Sequence, residues 1–220
     1  MPALNVIKWR QWGRLSGIAA LAAMLILAAN AAGPIYTVRT SAMEPTFLVG
    51  DHVLAPGGEH ISDLRRGDVI AFHFPPDPQV TLIKRLIGLP GDHVRIMSGV
   101  LVVNSRRISE PYVQHSAGAS VSPFFSNFPS YADKEPLLIL PDGRKMLGRY
   151  AASGELLIPE GGYFVLGDNR DYSSDSRSWG LLEPSQIIGL VHEILSSDEP
   201  KTKMPRTDRV HVPVQRGSLK

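Results

Sequence analysis

Apolar and polar positions divide this chain into one long uncharged run followed by many short alternating ones. From Leu15 to Val38 no residue is charged, and Gly17 to Ala32 is almost wholly Ala, Leu, Ile and Met. About 20 apolar residues suffice to cross a bilayer, so the run predicts a membrane-spanning helix over 15–38. Lys8, Arg10 and Arg14 precede it, with Trp9 and Trp12 among them. Basic flanks of this kind stay on the cytoplasmic side, and the indoles suit the interface, which puts residues 1–14 in the cytoplasm and the remainder outside it. A cleaved signal peptide is the rival reading, since Ala29-Asn30-Ala31 resembles a small-residue cleavage site behind a basic and then an apolar region.

Beyond residue 38 the period shortens. Gly50-Asp51-His52-Val53, Gly67-Asp68-Val69 and Gly91-Asp92-His93-Val94 repeat one device, a Gly-Asp turn leading into an apolar strand. Strands are predicted at His52 to Ala55, Asp68 to His73, Gln79 to Ile87, His93 to Ile96, Val100 to Asn104, Gly162 to Leu166 and Ile187 to Leu195. Short, closely spaced strands imply a mainly β, antiparallel, coiled-sheet or barrel-like domain. Residues 105–155, with Pro111, Pro123, Pro129, Pro136 and Pro141 and several aromatics, look like an inserted β/loop subdomain. The catalytic β domain would then comprise 39–104 and 156–196, followed by a flexible tail over 197–220 that lacks apolar periodicity.

Composition narrows the function. With 220 residues, 43% apolar and 20% charged, one globular domain plus accessories is expected. A formal charge of +2 is too small to argue for nucleic acid, and the absence of Cys excludes disulfides, thiolate zinc sites and a cysteine nucleophile. There is no His-Glu-x-x-His, no Gly-x-Ser-x-Gly and no phosphate-binding glycine loop, so metal-hydrolase, α/β-hydrolase and nucleotide readings fail.

Two stretches remain that carry chemistry. In Val80-Thr81-Leu82-Ile83-Lys84-Arg85-Leu86-Ile87, strand alternation puts Lys84 on a face with Leu82 and Leu86, and Arg85 on one with Ile83 and Ile87. Edge-strand charges that block aggregation are one explanation. The other is a lysine general base, which must lose about three pKa units to be largely neutral at pH 7, a shift that burial supplies. Thr40-Ser41-Ala42-Met43-Glu44-Pro45-Thr46 is too polar for a core strand and too stiff at Pro45 for a helix interior.

These stretches resemble the bacterial type I signal peptidases, membrane-bound Ser/Lys proteases that remove signal peptides. The resemblance rests on Met43-Glu44-Pro45-Thr46, on Lys84-Arg85 followed by Gly88-Leu89-Pro90-Gly91-Asp92, and on Gly167-Asp168-Asn169-Arg170 followed by Ser173, Asp175, Ser176 and Arg177. Arg66-Gly67-Asp68-Val69 with Phe72 resembles a fourth, structural box. It implies a retained membrane anchor, a catalytic domain on the extracytoplasmic side of the plasma membrane, no cofactor or metal, and signal peptides with small residues before the cleaved bond as partners. By position it implies Lys84 as general base, Thr40 and the Ala42 N–H as oxyanion donors, Ser173 as a hydroxyl that orients the lysine, and Asp175 with Arg177 as a structural ion pair near the site, beside Met43 and Pro45. Met43 and the apolar residues around Leu82 and Leu86 would wall the pockets for the small residues. One position departs from the pattern: the nucleophilic serine expected immediately before the methionine is Ala42. Ser41 does not substitute for it if the segment is extended, because it then points away from the face shared by Thr40 and Ala42. The resemblance therefore implies either a signal peptidase inactivated by a Ser-to-Ala change or a natural homologue that binds signal peptides without cutting them.

Overall fold

A computed structural model of the chain describes residues 33–58, 60–113, 126–130 and 139–217. Its longest strand organises the rest. Strand β4 (Asp77–Gly88) folds back on β3 (Val69–Phe74) across Pro75 and Pro76, with Val69 opposite Arg85 and Phe72 opposite Leu82. β10 (Phe164–Leu166) and β11 (Ile187–Leu190) extend this hairpin into an antiparallel sheet ordered β10-β4-β3-β11. A second sheet, β1-β2-β12-β13, joins Ile35–Thr37, Asp51–Leu54, Glu193–Ser197 and Val212–Pro213. The third runs β7-β6-β5-β9-β8 through Arg106–Arg107, Val100–Val103, His93–Met97, Glu155–Leu157 and Ala151–Ala152. Every strand pairing is antiparallel. Short β-rich runs punctuated by Gly-Asp turns thus build a mainly β protein, because each apolar face needs a second layer to cover it. One core packs Val53, Val69 and Ile194 around Met43 and Phe47, and another gathers Phe72, Leu86 and Val165 around Trp179.

Several expectations are revised. The stretch Ile187 to Leu195 is two strands, not one: β11 pairs with β3, the chain crosses at Val191 and His192, and β12 pairs with β2 in the other sheet. An unbroken apolar run conceals this switch, since both halves are buried against different partners. Residues 35–37, placed at the end of the membrane segment, are β1, held antiparallel to β2 behind Gly33 and Pro34. The rest of that segment, residues 15–32, lies outside the described residues, and among these no helix is long and apolar enough to cross a membrane. Within 105–155, α1 (Pro141–Tyr150) is a helix of 10 residues rather than strand or loop. Pro141 occupies its first turn, where a missing N–H costs nothing, and Met146 and Leu147 turn inward. Gly143 lets α1 approach α2 (Ser176–Trp179): a Cβ there would stand 2.2 Å from the Ser178 carbonyl oxygen.

Residues 198–217 differ most from the tail expected. β13 pairs with β12, and three arginines lash the segment to the core. Arg206 donates to the Val49 carbonyl at 3.0 Å, and Arg209 to both the Asp51 carboxylate and the Thr46 carbonyl. Arg216 Nη2 donates to Asp68 Oδ2 at 2.8 Å, and the Gly217 N–H to Asp68 Oδ1 at 2.7 Å. Asp51 and Asp68 are the acids of two Gly-Asp turns and are fully buried, so each needs such a partner. The third, Asp92, takes a two-pronged contact from Arg66 instead.

Candidate active site

Three sequence boxes meet at Gly167. Leu166 lies opposite Arg85 in the β10–β4 register, so the next residue along β10, Gly167, falls beside Lys84. On its other side the backbone of the first box approaches so closely that a Cβ on Gly167 would be 2.5 Å from the Ala42 carbonyl and 2.2 Å from Ser173 Oγ. No side chain fits there, which is the physical reason for glycine at that position.

Ser41–Met43 form a single 3₁₀ turn, closed by the Glu44 N–H donating to the Ser41 carbonyl at 3.0 Å. The expectation of an extended segment is therefore corrected at these residues, while Thr40 itself is extended. The turn is held from across the site by Asn169, whose side-chain amide donates to the Ser41 carbonyl and whose backbone N–H donates to the Ala42 carbonyl. Ala42 and Met43 are buried, Ser41 is partly buried and Thr40 is exposed. Pro45, also exposed, follows a cis peptide bond after Glu44.

Lys84 is buried with 3% of its surface exposed, and its ammonium donates to the neighbouring Ile83 carbonyl at 3.2 Å. Burial pulls its pKa down to about 8, against the opposing pull of the Asp175 and Asp168 charges. Both acids are already committed to other cations. Asp168 receives Arg85 at 2.8 and 2.6 Å, and Asp175 receives Arg177 at 2.8 Å on each oxygen. Burial would raise the Asp175 carboxyl, but Arg177 and the Gly167 N–H hold it below its usual range. Neither carboxylate is left to fix the lysine as a permanent cation.

A buried amine of this kind makes stability depend on pH. The unfolded amine keeps its proton to about pH 10.4, whereas the folded one releases it near 8. Stability therefore rises with pH between those values, and below them the fold carries a cost on the order of 3 kcal/mol. Lys84→Met is expected to recover much of that cost near neutral pH and to abolish the rise, as urea unfolding at about pH 7 and about pH 10 would report.

Sequence reasoning gave no role to the partners that surround this cluster. Thr46 donates its hydroxyl to Asp168 at 2.6 Å. The Tyr112 ring lies 3.8 Å from the Arg85 guanidinium carbon, and its hydroxyl donates to Glu110, which also pairs with the buried Arg170. Glu110 and Tyr112 sit in a Pro-containing stretch without periodicity, so no local signal marks them; the Asn169 clamp could have been sought from its place beside Asp168.

A groove of about 560 Å³ opens at the site between β1 and β4, with Tyr36, Thr40, Met43, Val80, Leu82 and Lys84 among its walls. β1 is the edge of its sheet, and β10 pairs with β4 only over Arg85 to Gly88. Over Gln79 to Lys84 the margin of β4 away from β3 has no strand partner among the described residues. Two open strand edges thus face one groove. Leu86, expected as a further wall, is instead buried in the core around Trp179.

Residues 9–195 match the family described as signal peptidase, peptidase S26. Signal peptidase I V of Bacillus subtilis (strain 168) is 33% identical over 192 residues, 85% of this chain and 99% of that protein. Signal peptidase I of Pseudomonas fluorescens is 32% identical over 203 residues, 80% of this chain and 69% of its own length. A solved signal peptidase I from Enterococcus faecalis V583, 31% identical, aligns with 60% of this chain and 99% of its own at a TM-score of 0.43. The chain belongs to the signal peptidase family, peptidase S26.

Proposed function

We propose that this protein is a membrane-anchored signal peptidase I in form that receives signal peptides in the β1–β4 groove and, with Ala42 at the nucleophile position, does not cleave them. The observation that carries the reading is the pair of open strand edges facing each other beside Lys84. An extended peptide entering between them gains backbone hydrogen bonds from both sides, and its alternate side chains meet the walls made by Met43 and Leu82. In this reading the wall around Met43 and Leu82 takes small residues before the bond that would be cut.

In the reading, Lys84 has the setting of a general base, Ser173 orients it, and Thr40 with the Ala42 N–H would stabilise a tetrahedral oxyanion. Asp175–Arg177 braces the loop that carries Ser173. Ala42 offers a methyl group where acyl transfer needs an oxygen, so binding proceeds and the covalent step does not. The anchor over residues 15–32 would hold this groove at the outer face of the plasma membrane, where signal peptides emerge.

The test is a titration with a fluorescent signal peptide carrying Ala before its cleavage bond. Saturable binding with the peptide intact after long incubation is expected, and enlarging that Ala to Leu should weaken it about tenfold or more. Absence of binding, or accumulation of cut peptide, would overturn the reading.

A further inference from the structure

Lys84 is a buried amine, on the wall of the β1–β4 groove beside Val80, Leu82 and Met43, whose described hydrogen bond goes to a backbone carbonyl rather than to a carboxylate. An amine so placed is held for reaction rather than for an ion pair. The nearest acids, Asp168 and Asp175, are each bound through both oxygens by an arginine, yet their charges still act on the lysine nitrogen. The groove gives access from one side, along Val80, Leu82 and Met43.

We infer that Lys84 is a covalent capture site for aldehydes that carry an apolar chain. The neutral amine adds to the aldehyde carbon, forming the C–N bond while the nitrogen proton passes to the carbonyl oxygen. The resulting carbinolamine takes one proton from solvent and expels that oxygen as water, leaving an iminium on the Lys84 nitrogen. One water leaves, no electrons are exchanged, and hydrolysis returns amine and aldehyde. The positive charge ends on the atom that carried it in the ammonium, within the field of the same two carboxylates. This also selects among electrophiles: carbon dioxide would leave an anionic carbamate facing Asp168 and Asp175, which that field opposes. The apolar chain lies along Val80, Leu82 and Met43, and Ala42 brings no hydroxyl to compete for the carbonyl.

Capture of aldehydes depends on the amine and the groove wall and not on any peptide being recognised, so the two readings fail separately. The test treats the full chain near pH 7 with low hexanal and cyanoborohydride, which fixes the imine as a hexyl-amine, and then maps the modified peptide. Lowering of the amine to about 8 gives Lys84 a neutral fraction roughly 10² times that of an ordinary lysine. The first hexyl group is therefore expected on Lys84, ahead of exposed lysines such as Lys145, whose side chain is 78% exposed. Lys84→Met, with its fold checked by circular dichroism, should lose that fast phase and keep only slow surface labelling. The inference is overturned if the native chain is labelled on surface lysines with Lys84 untouched, or if Lys84 reacts only after denaturation. Labelling of Lys84 without any binding of signal peptide would sustain this inference while refuting the peptide reading.

Discussion

Under the proposed function, Ala42→Ser should give a chain that cuts preproteins at least about 10⁴ times faster than the Ala42 chain does, because a missing nucleophile alone removes a large share of covalent catalysis. The boxes such a site draws on already meet at Gly167. The 3₁₀ turn bearing position 42 is pinned by Asn169 on two carbonyls, and the bare Gly167 lets that turn pack close beside the Lys84 strand. A serine hydroxyl adds a single oxygen to the Ala42 methyl. The rate should rise with pH through about 8, since the base works only when its amine is neutral. Cleavage of a purified preprotein, followed by gel shift across pH, measures both. If the serine variant stays inert while Ser41→Ala alters what the Ala42 chain does to its peptide, position 42 is not the nucleophile position.

Arg177→Met carries the largest expected loss of stability, about 3–5 kcal/mol, because it strands a charge in the interior. Asp175 and Arg177 are both wholly buried, and the guanidinium also donates to the Arg170 carbonyl at 2.9 Å. Methionine fills much of the space but leaves the carboxylate facing an apolar wall. A second effect follows at the lysine. Arg177 repels the Lys84 proton and Asp175 attracts it, so removing the arginine raises the lysine toward its ordinary value. Placed on the Ala42→Ser chain, the substitution should shift the activity profile to higher pH as well as lower the urea midpoint. Pairing it with Asp175→Asn should return much of the stability, since both charges are then gone. A pH profile unmoved by Arg177→Met in a folded protein would show that the ion pair does not govern the lysine.

Alternation and turn chemistry made the sheets legible where both signals were local. Gly67-Asp68 and the run to His73, or Gln79 to Ile87, can be read as strands because turn residues precede each apolar run. Lys84 and position 42 stand out through motifs whose order along the chain survives any fold, and the structure brings their boxes together at Gly167. Three features were not legible. α1 hides among prolines and carries two glycines, Gly143 and Gly148, which lower helix propensity; only its packing on Ser178 explains the first. The turn at Ser41–Met43 depends on Asn169, more than a hundred residues away, and no local pattern reports a partner at that distance. The switch at Val191 between two sheets leaves the sequence apolar on both sides of the break.

The arginine strap sets a chronology for the chain. Asp51 meets Arg209 across 158 residues and Asp68 meets Arg216 across 148, so both carboxylates are synthesised long before their counter-ions. Until Arg209 and Arg216 are in place, the first two Gly-Asp turns hold charges that an apolar interior will not accept. A newly made chain would thus keep both turns loose until residues 209–216 have been made.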